Sequence, residues 1–136
     1  MAWHVQCDFC EYAGQDYMLI ADEISGFSKV TKTKNKSTKE AIRVLRQWGA
    51  TFGLPYRAKT DFGPAYRDEF KAECKALRVE VIHSSCYNAP SQGWIEQKVA
   101  IFKELLKSPY PHYPSCRLTS SFMKLILERN RTRVLL

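Results

Sequence analysis

The chain has 136 residues, with 21 Lys and Arg against 14 Asp and Glu, a formal net charge of +7 and a pI near 9.2. A hydrophobic content of 45% with 12% aromatic residues excludes a disordered tail, and 6 Gly with 6 Pro exclude collagen-like or low-complexity sequence. No apolar run approaches the ~18–20 residues of a membrane span, residues 1–8 lack the regions of a signal peptide, and 5 cysteines form no even disulfide framework; the expectation is a basic intracellular domain with reduced thiols.

In chain order, Val5 to Tyr12 and Tyr17 to Ala21 read as strands, because both are β-rich and a turn signal, Ala13-Gly14-Gln15-Asp16, separates them. Gly26 to Thr33 adds a third strand, giving an antiparallel meander. The period then changes. Ser37 with Glu40 three residues on is a capping-box signature, and Ala41, Ile42, Leu45, Trp48 and Phe52 follow at helical spacing until Gly53 and Pro55 stop the helix. Tyr56 to Thr60 is a fourth strand, 66–77 a second helix with Phe70, Cys74 and Leu77 on one face, and Val79 to Ile82 a fifth strand. A polar loop, Ser84 to Gly93, leads into a third helix with a stripe of Ile95, Val99, Phe102 and Leu106. The order β-β-β-α-β-α-β-α implies an α/β architecture, a mixed five-stranded sheet with helices packed on it. Residues 1–107 form this domain; 108–136 read as a Pro-rich linker, a short helix-like segment and a basic end.

The charge is blocky. Residues 1–28 carry Asp8, Glu11, Asp16, Asp22 and Glu23 and no Lys or Arg, whereas 29–46 carry seven basic residues against Glu40 alone. Such runs fit solvated faces, or a polyanion-binding surface beside an acidic pocket. Asp8 lies within the first strand, Asp61 at the C-terminal edge of the fourth, where open α/β sheets place ligands, and Glu96 in the first turn of the third helix. If the first and fourth strands are neighbours, Asp8 and Asp61 sit side by side with Glu96 opposite. Two carboxylates ~4 Å apart repel by roughly 4 kcal/mol at an effective dielectric of 20. The cluster therefore calls for a proton or a divalent cation, and all-oxygen ligation suits Mg²⁺ or Mn²⁺.

The residues around these carboxylates are more specific. Lys59-Thr-Asp-Phe-Gly-Pro-Ala-Tyr-Arg-Asp-Glu-Phe70 resembles the Ser-Asp-Asn-Gly-Pro-x-Phe…Phe block of retroviral and gypsy-class retrotransposon integrases. Cys86-Tyr-Asn-Ala-Pro-Ser-Gln-Gly-Trp-Ile-Glu96 is similar to their Pro-Tyr-Asn-Pro-Gln-Ser-Gln-Gly-x-x-Glu block. Trp3-His-Val-Gln-Cys-Asp8, with Tyr17-Met-Leu-Ile-Ala-Asp22-x-x-Ser-Gly26, looks like their first catalytic strand and hairpin. The resemblance covers residues 3–107 and implies an RNase H-like core whose catalytic and metal-holding triad is Asp8, Asp61 and Glu96, with two Mg²⁺ or Mn²⁺ ions. It implies trimming of DNA 3′ ends and their transfer into target DNA, an action in the nucleus, and no membrane partner. By position, Tyr87 and Gln92 would meet the DNA end and Lys103 a phosphate. Family cores associate as homo-oligomers through helices, a tendency weakened here by a shortened C-terminal part.

The sequence also departs from the family pattern. Phe62 stands where the block has Asn, Ala89-Pro90 replaces Pro-Gln, Ala100 replaces a Lys, and 34 residues separate Asp61 from Glu96, one fewer than usual. No His-His-Cys-Cys zinc segment precedes the core, and Phe122 to Leu136 looks like the family's final segment with a helix deleted, the pattern of a truncated copy. Two other readings follow: a decayed, non-catalytic nucleic-acid-binding remnant, and a plain RNase H-like nuclease. Cys7-x-x-Cys10 has no second Cys pair, so core packing is favoured over zinc. Asp22 reads as a turn residue. Trp94 reads either as a packed side chain or as an aromatic facing DNA.

Overall fold

The computed structural model describes residues 4–83, 89–107 and 134–135. Strands β1 (His4–Tyr12), β2 (Gln15–Asp22) and β3 (Ser28–Thr33) form the expected meander, each antiparallel to the next. The β1–β2 turn is a two-residue connection in which both Ala13 (φ 51°) and Gly14 (φ 78°) adopt positive φ. That backbone matches the twist of the flanking strands, and Gly14 adopts it without a Cβ penalty.

Helix α1 (Thr38–Phe52) starts at Ser37, whose hydroxyl accepts from the Glu40 N–H at 3.3 Å. Glu40 does not close the box on Ser37. Its carboxylate accepts instead from the Lys34 N–H at 2.7 Å and from the Arg43 guanidinium, tying the helix start to the end of β3. Strand β4 (Arg57–Thr60) and strand β5 (Glu80–His83) flank a 3₁₀ turn (Pro64–Tyr66) and helix α2 (Asp68–Ala76). The helix expected over 66–77 is observed as α2, starting two residues later because Arg67, with an extended ψ of −147°, separates it from the 3₁₀ turn. Helix α3 (Ala89–Lys107) takes in the last five residues, 89–93, of the expected loop. Pro90 falls in its first turn, where the missing N–H has no helical partner to lose.

The sheet order is β5-β4-β1-β2-β3-β6, where β6 is Val134–Leu135, paired parallel to Ser28 and Lys29. The mixed five-stranded sheet is as expected, and this short edge strand is an addition to it. The rest of the tail, including the expected linker and helix-like segment, lies outside the described residues.

Two cores sit on opposite faces of the sheet. On one, α1 and α2 bury Trp48, Leu45, Phe70 and Cys74 against Val5, Cys7, Met18 and Ile20, with Tyr66 from the 3₁₀ turn. On the other, α3 buries Ile95, Phe102 and Leu105 against Cys10, Tyr17, Leu19 and Val30. The expected stripe is shifted by one position at its end: Leu105 is buried and Leu106 only half-buried.

Candidate active site

Strand alternation divides β1 between the two cores. Val5, Cys7 and Phe9 face α1 and α2, while Cys10 and Tyr12 face α3, and Asp8 shares the parity of Cys10. Cys7 and Cys10 therefore lie on opposite faces and make no zinc pair. Burial pushes the Cys10 thiol up to about 11, and the Cys7 thiol higher still.

Strands β1 and β4 are parallel neighbours, with Val5 opposite Ala58 and Gln6 opposite Lys59. The same offset continued for two residues sets Asp8 level with Asp61, just past the end of β4. Asp61 is fixed by a tight turn in which its Oδ1 accepts from the Gly63 N–H at 2.7 Å. A Cβ at residue 63 would lie 2.7 Å from that oxygen, so only glycine leaves the carboxylate where it is. The Thr38 hydroxyl donates to the Ala65 carbonyl at 2.8 Å and so anchors the following 3₁₀ turn to α1.

Glu96, exposed on α3, completes a cavity of about 90 Å³ whose lining also includes Asp8, Lys59, Thr60, Asp61 and Ile95. The Asp8 carboxyl is pushed up to about 6, first by burial, then by the charge of Asp61 and, less, of Glu96. The Phe9 backbone and Lys36 offset part of this. The sequence-predicted trio thus lines one pocket, and its members repel one another.

Among the described residues, no three His, Cys, Asp or Glu side chains stand close enough to form a ready-made metal cage. The donor set still fits Mg²⁺. That ion is usually held by one or two carboxylates with water and substrate phosphates filling its other positions, rather than by an all-protein cage.

Lys103 lies on α3 seven residues after Glu96, half-buried, and its charge reaches Cys10, two residues from Asp8 on the same face. Gln92 lies in the first turn of α3, and Tyr87 lies outside the described residues. Asp22 is a turn residue, accepting from the Ile24 and Ser25 N–H groups and from the Ser25 hydroxyl at 2.7 Å. Trp94 packs with the α3 core, and the Lys98 ammonium lies 5.4 Å from its ring centroid while donating to the Gly26 carbonyl at 3.0 Å. Outside the pocket lining, a described residue that sequence reasoning did not single out for this site is Lys36. It pairs with Glu11 at 3.8 Å and lowers the cost of charge on Asp8. Its only sequence signal is a place in the lysine-rich run from Lys29 to Lys39.

A mixed sheet with this strand order, one carboxylate within a strand, a second just past the end of its parallel neighbour and a third acid on the helix across them define the class: an RNase H-like core. No protein-family model matches the chain. It is 31% identical over 100 residues to the Gag-Pro-Pol polyprotein of Mason-Pfizer monkey virus, a match spanning 71% of this chain and 6% of that polyprotein. Among solved structures, a chain of the simian T-cell lymphotropic virus intasome in complex with PP2A regulatory subunit B56 gamma is 32% identical, with a TM-score of 0.70 over 83% of this chain and 44% of that one. The HTLV-2 integrase catalytic core domain in complex with magnesium has a TM-score of 0.67 at 24% identity, over 84% of this chain and 77% of that one. Within the RNase H-like class, the chain groups with the catalytic cores of retroviral integrases.

Proposed function

We propose that the chain acts in DNA integration as a metal-dependent polynucleotidyl transferase core, trimming DNA 3′ ends and joining them to target DNA. The observation that carries this reading is the shared pocket of Asp8, Asp61 and Glu96, in which two carboxylates raise the proton affinity of a third. Asp8, Asp61 and Glu96 hold Mg²⁺ or Mn²⁺, two ions in the working complex; the magnesium complex of the HTLV-2 core supports this. When bound, the ions activate the attacking oxygen and offset charge at phosphorus.

The chain's own groups then have separable tasks. Asp61, held by the Gly63 N–H, keeps one carboxylate fixed at the strand edge. Asp8 supplies a carboxylate that exchanges its proton for a cation near neutral pH. Glu96 closes the pocket from α3. Lys103, with Tyr87 and Gln92, positions the DNA strand. The basic surface supplies the non-specific attraction to the phosphate backbone.

DNA as partner puts the action in the nucleus. Among the described residues no helix is long and apolar enough to cross a membrane. Homo-oligomerisation is part of the proposal, and the HTLV-2 core has been solved in trimeric and dimeric forms. So is descent from a gypsy-class element, with 1–107 as the core and 108–136 as its shortened end. A second reading, a nucleic-acid-binding remnant without turnover, rests on the departures from the integrase pattern at Phe62, Ala89-Pro90 and Ala100.

The test is a Mg²⁺- or Mn²⁺-dependent nicking and strand-joining assay on the purified chain, with Glu96→Gln as control and circular dichroism to verify folding. Joined products that vanish in Glu96→Gln support the transferase. Cleavage without joining points to a nuclease, and a folded chain that binds DNA without products points to the remnant.

A further inference from the structure

Phe62 is out of place by the ordinary rules of burial. It is 60% exposed, directly follows Asp61, and occupies a turn whose conformation depends on Asp61 and Gly63 and makes no use of an aromatic ring. In the integrase block that this segment resembles, the position carries a polar Asn. An isolated exposed apolar residue needs no explanation, but this one is held in place. Its carbonyl accepts from the Arg67 guanidinium at 3.3 Å, and its ring lies 4.7 Å from the His83 ring at 54°. His83 is itself anchored, with Nε2 2.7 Å from the Tyr66 carbonyl oxygen. A braced aromatic ring therefore directly follows Asp61, a lining residue of the carboxylate pocket, with most of its surface in water and the exposed Arg67 bonded to its carbonyl.

We propose that Phe62 is a stacking platform for an unpaired base of the DNA strand whose phosphate enters the Asp8–Asp61–Glu96 pocket. This inference rests on the DNA-acting reading of that pocket. Paired bases within a duplex have both faces covered by their neighbours, whereas an unpaired or extruded base, free of its partner, can turn a face to the ring. Bracing by His83 and Arg67 lowers the ordering cost of the contact. Phe62 is a positioning residue: it contacts a base, and the chemistry stays with the carboxylates. The consequence is a preference for DNA ends that carry an unpaired nucleotide.

The experiment titrates the full chain in Mg²⁺ and low salt against two labelled DNAs, a blunt duplex and the same duplex with an unpaired end containing 2-aminopurine. The expected result is tighter binding of the unpaired end and quenching of 2-aminopurine as it stacks. Phe62→Asn and Phe62→Leu should bind the unpaired end roughly 5- to 150-fold more weakly and lose the quench. Their affinity for the blunt duplex should be unchanged, and Phe62→Trp should restore both signals. Unchanged quenching in Phe62→Leu, or an equal loss on both DNAs, overturns the platform while leaving the DNA-acting reading intact. A wild-type chain that binds neither DNA overturns both.

Discussion

The two faces of the sheet are built from the same strands yet do different work. Beneath α1 and α2 the packing is continuous: Trp48, Phe70, Tyr66, Met18 and Leu45 are all nearly inaccessible, and Phe9, Tyr66 and Phe70 form a chain of ring contacts at 5.6 and 5.1 Å. Beneath α3 the core is smaller, and it stops at a pocket lined by three carboxylates. Their charges act oppositely on the two sides. Glu40, on α1, is held below the usual carboxylate range by its hydrogen bonds from Arg43 and the Lys34 N–H. Asp8, facing α3, is pushed above that range by burial and by Asp61. One face spends its free energy on folding. The other retains electrostatic strain that a bound cation would relieve.

The sharpest way to separate the faces is to remove one group from each. Asp61→Asn should reduce metal-dependent product formation by on the order of 10⁴-fold, about 5 kcal/mol in the barrier, while leaving the circular dichroism spectrum unchanged. Phe70→Ala should do the reverse at the level of cause. It should cost about 3–5 kcal/mol of stability, read from the urea midpoint, because a fully buried ring leaves a cavity that the packed α1–α2 face cannot close. Specific activity per folded molecule should remain. If Asp61→Asn unfolds the chain, or Phe70→Ala abolishes turnover in the folded fraction, the division between faces fails.

Asp8 gives the next largest effect, and its sign runs against intuition. Its folded-state pKa is about 6, above the ordinary value of 3.8, so the folded chain binds the proton more tightly than the unfolded chain does. Without metal, stability should therefore fall as pH rises from about 4 to about 6, with the full cost, on the order of 3 kcal/mol, present above that window. Asp8→Asn removes the cost. Thermal melts in EDTA at pH 7.5 should show the variant as the more stable chain, with the difference vanishing near pH 4. Added Mg²⁺ should raise the wild-type melting temperature through preferential binding to the folded state, and should leave the variant unchanged. A wild-type chain at least as stable as Asp8→Asn in EDTA would show that the pocket is not strained. Glu40 has the opposite slope. Its contribution is present at neutral pH and is lost as pH falls through its depressed value.

What could be read from the sequence was local. The meander, the Ser37 cap and the α1 stripe all follow from residues within a few positions of each other, and all are present in the structure. The pairing of β1 with β4 was only conditional, because nothing in either strand encodes a partner some 50 residues away; their parallel register is a property of the assembled sheet. Helix α3 starts earlier than its sequence suggests because Pro90, Ser91 and Gly93 carry loop chemistry, which a helix tolerates in its first turn. The action of Lys36 on Asp8 was illegible for the same reason as the strand pairing: it crosses from the β3–α1 connection to β1. Val134–Leu135 gave no strand signal of its own, since two residues carry no period.

The smallest effect tests how much the cap at the start of α1 contributes to the pocket. Ser37 accepts from the Glu40 N–H and sits beside Lys36, the cation that moderates charge on Asp8. Replacing Ser37 by Ala removes a single N-cap acceptor and should cost about 1 kcal/mol in the urea midpoint. Glu40 still holds the Lys34 N–H at 2.7 Å from its own side chain, so the connection carrying Lys36 keeps its second anchor. The Mg²⁺-induced rise in melting temperature should therefore be the same in Ser37→Ala and wild type. A larger loss of that rise than of stability itself would mean that the cap on the packed face also sets the electrostatics of the open one, and that the two faces are coupled through Lys36.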